Sequence, residues 1–251
     1  MSKALEPLDY VYALYEGGAV AFNRIDEWSD IDLYAVVDDE KVDSAFHAVE
    51  RTLELLSPIK LKLRTPQLPW SGVFQTFYKL ENASEFLLID FAVLQLSAPE
   101  KFLEPLIHGN VVFHFNKNDI IKATRFDEKA FSNKLVARIK MLQMRFCMFN
   151  SFVQKEINRG NCLEAVELYR VFTLALLVEA LRIKHNPMHY DFRMRYVHYE
   201  LPPELIRKLE NLYFVKNIED LQQKYRVGTK WFEETMSDTD ANSGGTNALS
   251  N

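Results

Sequence analysis

Cysteine is nearly absent: the 251 residues include only Cys147 and Cys162. Two thiols are too few for a thiolate metal cluster, and a reducing compartment calls for no disulfide, so both are expected as thiols packed in a core. Long apolar runs are missing as well. No stretch of about 18 apolar residues occurs, which excludes the usual membrane-spanning helix. The opening Met1-Ser2-Lys3-Ala4-Leu5-Glu6 lacks the apolar run of a signal peptide. A cytoplasmic protein with no membrane partner is the expectation. What is present, 48% apolar and 26% charged residues, is the composition of a globular chain with room for one large domain or two ordinary ones. The net charge of −5 hides an asymmetry. Residues 1–124 carry 11 basic and 19 acidic side chains, whereas residues 125–236 carry 19 basic and 14 acidic. Halves of opposite sign suit a metal-polyphosphate ligand held between them.

The most informative stretch is Glu16-Gly17-Gly18-Ala19-Val20-Ala21-Phe22-Asn23, followed by Ser29-Asp30-Ile31-Asp32-Leu33-Tyr34. An apolar run from Val11 to Tyr15 leads into the glycine pair, where the missing Cβ atoms let the backbone turn tightly and approach a phosphate. Asp30 and Asp32 then open a β-branched and aromatic run. Side chains at i and i+2 of a strand share a face, so the two carboxylates point together, an arrangement that asks for a cation or a raised pKa. Further on, Glu85 to Leu94 is a strongly apolar strand with one acid, Asp90, at its centre. A charge there is costly unless it is paired or bound to metal.

Gly17-Gly18, a gap of about ten residues, and Ser29-Asp30-Ile31-Asp32-Leu33 together resemble the signature of the nucleotidyltransferase (DNA polymerase β-like) superfamily, and most of all its small-molecule, antibiotic-modifying branch. The resemblance implies a glycine turn on the triphosphate, with Gly17, Gly18, Ala19 and Ser29 at the nucleotide. It implies that Asp30, Asp32 and a third carboxylate, Asp90, are the metal ligands and catalytic groups, with two Mg²⁺ ions and an NTP, ATP being the expected donor. The reaction implied is transfer of a nucleoside monophosphate to a hydroxyl of a small-molecule acceptor with release of pyrophosphate. Nucleic acid is not an expected partner, and oligomeric state is left open, a homodimer being compatible with the sequence. The chain departs from the family at Ala19, where serine is usual, and at Asn23, where glycine is usual. The first change removes a charge-assisted hydrogen bond to phosphate, about 1.5–3 kcal/mol. The second is mild, because asparagine tolerates the left-handed backbone.

The remaining pattern predicts an α+β fold: a mixed sheet with flanking helices over residues 1–124, an all-α helical bundle over 125–236 and a disordered tail over 237–251. Strands are expected at Val11–Glu16, Ile31–Val37, Ile59–Arg64 with a basic outer face, Val73–Leu80, Phe86–Leu94 and Val111–Phe115. A helix is expected over 40–56. In the bundle, one helix should run from about Asp127 to Ile157, ending at Gly160, with Asn161 capping the next against Glu164. Residues 162–184 are apolar nearly all round, which makes that helix central. Lys134, Arg138, Lys140 and Arg145 on the first bundle helix are candidates for meeting the phosphates. His185, His189 and His198 lack zinc-site spacing. Arg193 and His198 resemble the Arg-x4-His motif of HEPN-type RNases, which is one alternative function; a nucleotide-binding pseudoenzyme or antitoxin-like regulator, suggested by Ala19, is another.

Overall fold

The computed structural model describes residues 1–243 apart from 67 and 124, with the backbone alone for 239–243. The fold is α+β, and the chain divides into two compact units, Met1–Phe126 and Asp127–Asn251.

The first unit is built on six strands: β1 (Val11–Glu16), β2 (Ile31–Val37), β3 (Ile59–Arg64), β4 (Val73–Leu80), β5 (Ile89–Gln95) and β6 (Val112–Asn116). Their order across the sheet is β3-β4-β5-β2-β1-β6. Only β2 and β5 run parallel, and they lie at the centre. Both are buried on two faces, which is why Ala35-Val36-Val37 and Phe91-Ala92-Val93-Leu94 read as unbroken apolar runs rather than as alternation. Short helices α1 (Ser2–Leu5), α2 (Gly18–Ala21) and α4 (Pro105–His108) flank the sheet. The helix α3 (Val42–Leu56) covers one face with Val42, Ala45, Phe46, Val49 and Leu53, a stripe at intervals of three and four. It stops at Ser57, whose extended backbone precedes Pro58, a residue that bars helix in its predecessor. The opposite face holds a smaller core of Ala13, Tyr15, Val36, Ala92 and Leu94, packed by Tyr34, Leu103 and Phe102.

At the edge strand β3 the expected facing is reversed. Lys62 pairs with Glu50 at 2.6 Å, and Arg64 pairs with Asp43 at 3.0 Å while its guanidinium lies 4.1 Å from the centre of the Phe46 ring. The basic row therefore faces α3, and Leu61 and Leu63 are the exposed side chains, at 61% and 66%. The cause is the edge itself: the polar flank of α3 reaches β3 on one side, and the small core on the other side ends before it. The hairpin between β4 and β5 is also longer than expected, because pairing begins at Ile89 rather than Phe86.

The second unit contains α5 (Glu128–Phe149), α6 (Ser151–Arg159), α7 (Cys162–Tyr169), α8 (Ala175–His185), α9 (Val197–Glu200), α10 (Pro203–Tyr213) and α11 (Ile218–Ser243). Gly160 ends α6 in the left-handed conformation, φ 76°. The expected single helix is divided at Asn150, a buried residue whose amide donates to Thr229 at 3.0 Å and accepts from Thr173 at 2.6 Å. Asn161 does not cap α7. Its amide donates instead to Glu156 at 2.7 Å, across the Gly160 turn. Helix α7 continues into α8 through a π-turn at Arg170–Leu174, and α8 is buried on nearly every side. Both cysteines are exposed, contrary to the expectation of core thiols. The apolar count of the unit is met without them. Helix α11 runs to Ser243, past residue 236, because Trp231, Phe232 and Met236 anchor it in the core and the polar residues beyond continue the turn. Residues 244–251 of the expected tail lie outside the described residues. Among the described residues no helix is long and apolar enough to cross a membrane.

Candidate active site

The glycine pair sits where β1 ends. Gly17 is the cap of the short α2, and its N–H donates to the Asp32 carbonyl at 2.9 Å, which ties the turn to β2. Gly18 has φ +58°, the left-handed region open mainly to glycine. A Cβ on Gly18 would stand 1.7 Å from Asp32 Oδ2, and a Cβ on Gly17 would stand 2.9 Å from the Tyr34 ring. Each glycine therefore covers one side chain of the same β2 face: Gly17 over Tyr34, Gly18 over Asp32. Only bare backbone fits in that position. Asn23, which stands where the resembled family has glycine, takes φ 54°.

Asp32 lies directly beside Asp90 in the parallel β2/β5 register. Neighbouring strands are about 4.8 Å apart, so register partners on the same face are in reach of one small ligand. Both carboxylates are half-buried. The Gln75 amide donates to the two oxygens of Asp90 at 2.7 and 2.8 Å, which fixes the orientation of that carboxylate. Sequence reasoning did not find Gln75. Its signal was in the hairpin register: Gln75 opposes Ala92 and Phe77 opposes Asp90, so Gln75 is the diagonal same-face neighbour of the acid.

The other expected residues are placed as follows. Asp30 is exposed and stands immediately before β2; the next residue, Ile31, already donates to the Leu88 carbonyl at 3.0 Å. Ala19 is in the first turn of α2. Ser29 is engaged within its own loop: its hydroxyl donates to Asp26 Oδ1 at 2.9 Å and accepts from the Asp26 N–H at 2.9 Å. Among the described residues, no three His, Cys, Asp or Glu side chains gather as a metal-holding cluster. The candidate site is accordingly a carboxylate pair, Asp32 and Asp90, with Asp30 at the strand entrance.

On the same face of the sheet as the pair lies an aromatic cluster. Tyr15 and Tyr34 stack at 5.3 Å, Tyr34 meets Phe102 at 5.8 Å, and Phe102 meets Trp70 edge-on at 5.1 Å. Burial, with Tyr34 and Glu100 adding to it, pushes the Tyr15 hydroxyl well above its ordinary pKa, and that hydroxyl donates to the Lys101 carbonyl at 2.6 Å. Tyr15 is thus a structural donor rather than a proton acceptor. In the loops that enter β2 and β5, Trp28 and Phe86 pack edge-on at 4.9 Å while more than half of each remains exposed.

In the helical unit, Arg138 is committed to Glu179, donating from Nη2 at 2.8 Å and from Nε as well. Arg193 and His198 are not on one helix: Tyr196, at φ 60°, separates the loop holding Arg193 from α9. His189 is buried, with Nδ1 2.8 Å from Glu200 and its ring stacked on Phe192 at 4.1 Å.

No family model matches the chain, and no curated protein matches it. Among solved structures, an aminoglycoside 6-adenyltransferase from Bacillus subtilis aligns at 13% identity over 94% of this chain and 88% of that chain, with a TM-score of 0.32. A likeness that remote carries no argument about activity.

Proposed function

We propose that the chain is a divalent-metal-dependent nucleotidyltransferase that moves a nucleoside monophosphate from an NTP, ATP being the expected donor, to a hydroxyl of a small molecule and releases pyrophosphate. The observation that carries this reading is the position of Gly18 against Asp32, with Asp32 beside Asp90: a bare-backbone turn and two aligned carboxylates on one face. The donor set fits Mg²⁺, which takes hard oxygen ligands and commonly needs only one or two carboxylates besides water and substrate phosphates. Asp32 and Asp90 would hold the ion, with Asp30 at the mouth. Bound there, Mg²⁺ would offset charge on the phosphate oxygens.

The chain's own groups have separate tasks. The Gly17-Gly18 turn, bare of side chains where it rests on Asp32, presents its backbone to the phosphate oxygens. Asp90, oriented by Gln75, accepts the proton of the acceptor hydroxyl. That oxygen forms a bond to the α-phosphorus as the bond to the bridging oxygen breaks, and pyrophosphate leaves with the electron pair. Trp28 and Phe86 offer an exposed aromatic surface on which a base can stack.

The test is pyrophosphate release by the purified protein with each NTP, Mg²⁺ and a metabolite pool, set beside titration calorimetry with a nonhydrolysable NTP. Mg²⁺-dependent NTP binding that disappears in Asp32→Ala, together with pyrophosphate release by wild type, supports the reading. Binding without release would leave the pseudoenzyme suggested by Ala19. Equal Mg²⁺-dependent NTP binding by wild type and Asp32→Ala would overturn the assignment of the site.

A further inference from the structure

A cavity of about 890 Å³ lies within the helical unit, and four arginines line it: Arg138, Arg145, Arg170 and Arg193. Arg138 is neutralised by Glu179. The other three make no ion pair among the described residues. They come from three elements, α5, the π-turn and the loop before α9, so their convergence is not the by-product of one solvated helix face. From these placements we propose that the helical unit carries an anion pocket of its own, built for a small molecule with two or more phosphate groups.

Two features show that the pocket is constructed. The first is the loop that carries Arg193. Arg193 has φ 53°, unfavourable for a non-glycine residue, and a buried guanidinium holds it there. Arg182, fully enclosed, donates from Nε to the Arg193 carbonyl at 2.8 Å and from its Nη2 to the Arg195 carbonyl, while its Nη1 meets Glu200 at 2.5 Å. The second is the π-turn that carries Arg170. Such a turn interrupts regular helix pairing and is found disproportionately at functional sites. Here the helix opposite accommodates it: Gly228 of α11 is buried against Thr173, and a Cβ there would come within 3.0 Å of the threonine methyl. Arg170 also acts on Tyr213 of the lining. Burial pushes the Tyr213 hydroxyl pKa up and the Arg170 guanidinium works against that rise.

The dimensions and chemistry agree. Small-molecule sites commonly enclose about 300–1,000 Å³. Guanidinium forks suit phosphate oxygens in pairs. Glu167 and Asp191, also in the lining, are not committed to the three arginines by ion pairs and offer acceptors to hydroxyl groups of the same ligand.

The pocket needs no metal, which separates it experimentally from the carboxylate site. Titration calorimetry of the full chain with inorganic tripolyphosphate in EDTA is the measurement, with circular dichroism melts to verify that the variants fold. Arg170 and Arg193 are exposed, so their replacement should leave the fold intact. The expected result is a Kd raised about tenfold in Arg170→Gln and in Arg193→Gln, and about 100-fold in the double variant, following the strength of charge-assisted contacts. Lys134→Gln, on an exposed part of α5, and Asp90→Asn should stay within about twofold of wild type. The proposal is overturned if wild type does not bind tripolyphosphate in EDTA, if the arginine variants bind as wild type does, or if Lys134→Gln weakens binding equally. A Kd changed more than about twofold in either direction in Asp90→Asn would likewise overturn it, by showing that the polyphosphate sits at the carboxylate pair.

Discussion

The two units treat charge in opposite ways. In the helical unit, Arg182 and Glu200 are almost wholly enclosed, and Arg182 spends its donors on Glu200 and two carbonyls. In the sheet unit, Asp32 and Asp90 are half-buried on the face where the glycine turn rests, and Gln75 is a neutral partner of Asp90. The buried pair is spent on shape, since it holds a strained loop in place. The aligned acids lie instead side by side on one face of the two central strands. The contrast separates charge that serves the fold from charge set at a ligand's position.

The sharpest way to break that contrast is at Arg182. Arg182→Ala leaves Glu200 buried without its main counter-charge, and loss of about 3–5 kcal/mol of stability is expected in urea unfolding. A cost below about 1 kcal/mol would mean that the enclosed network does not hold the unit together. At the other site the effect should fall on activity. Gly18→Ala puts a methyl where Asp32 Oδ2 stands and strains a left-handed residue, so nucleotidyl transfer should drop by about 10²-fold or more, the scale of an ångström-sized misplacement. Pyrophosphate release reads it. Asp90→Asn preserves shape, so stability should hold while single-turnover rates fall at least about 10²-fold through loss of a proton acceptor. Rates near wild type would remove Asp90 from the chemistry.

Acid should discriminate between the units as well. Burial opposes ionisation of Glu200, but hydrogen bonds from Arg182 and His189 outweigh it and hold the carboxyl below its ordinary 4.5. A group depressed in the folded state contributes stability that is present above its unfolded pKa and is lost as pH falls through the folded value. The helical unit should therefore weaken below about pH 4.5, and Glu200→Gln should flatten that part of the stability profile; an unchanged profile would contradict it. The smallest effect is expected at the edge strand. Leu61→Lys should change stability by no more than about 0.5 kcal/mol, as at an ordinary surface position. A cost of about 2 kcal/mol would indicate that the leucines, not the lysines, face inward.

Much of this was legible in the chain because it rests on local physics. Apolar and β-branched runs marked β1 and β2, Gly160 marked the end of α6, and an isolated acid in an apolar strand marked Asp90. Errors arose where a partner outside the local motif decided. Asn161 has the form of a cap, yet Glu156 across the turn takes its amide. Lys62 and Arg64 looked like an outer row until the acids of α3 drew them inward. Gln75 and Arg170 carry no motif, and Arg145 and Arg193 carry none that joins them.

By itself, then, the sequence determined the change from a sheet unit to a helical one, the glycine turn, and the two acids, since each depends on residues near one another in the chain. Only the tertiary structure decided that Gly18 rests on Asp32, that Asp32 is level with Asp90, and that Arg145, Arg170 and Arg193 share a cavity. Those facts depend on strand register and helix packing, set by contacts between residues tens of positions apart, and local composition does not encode them.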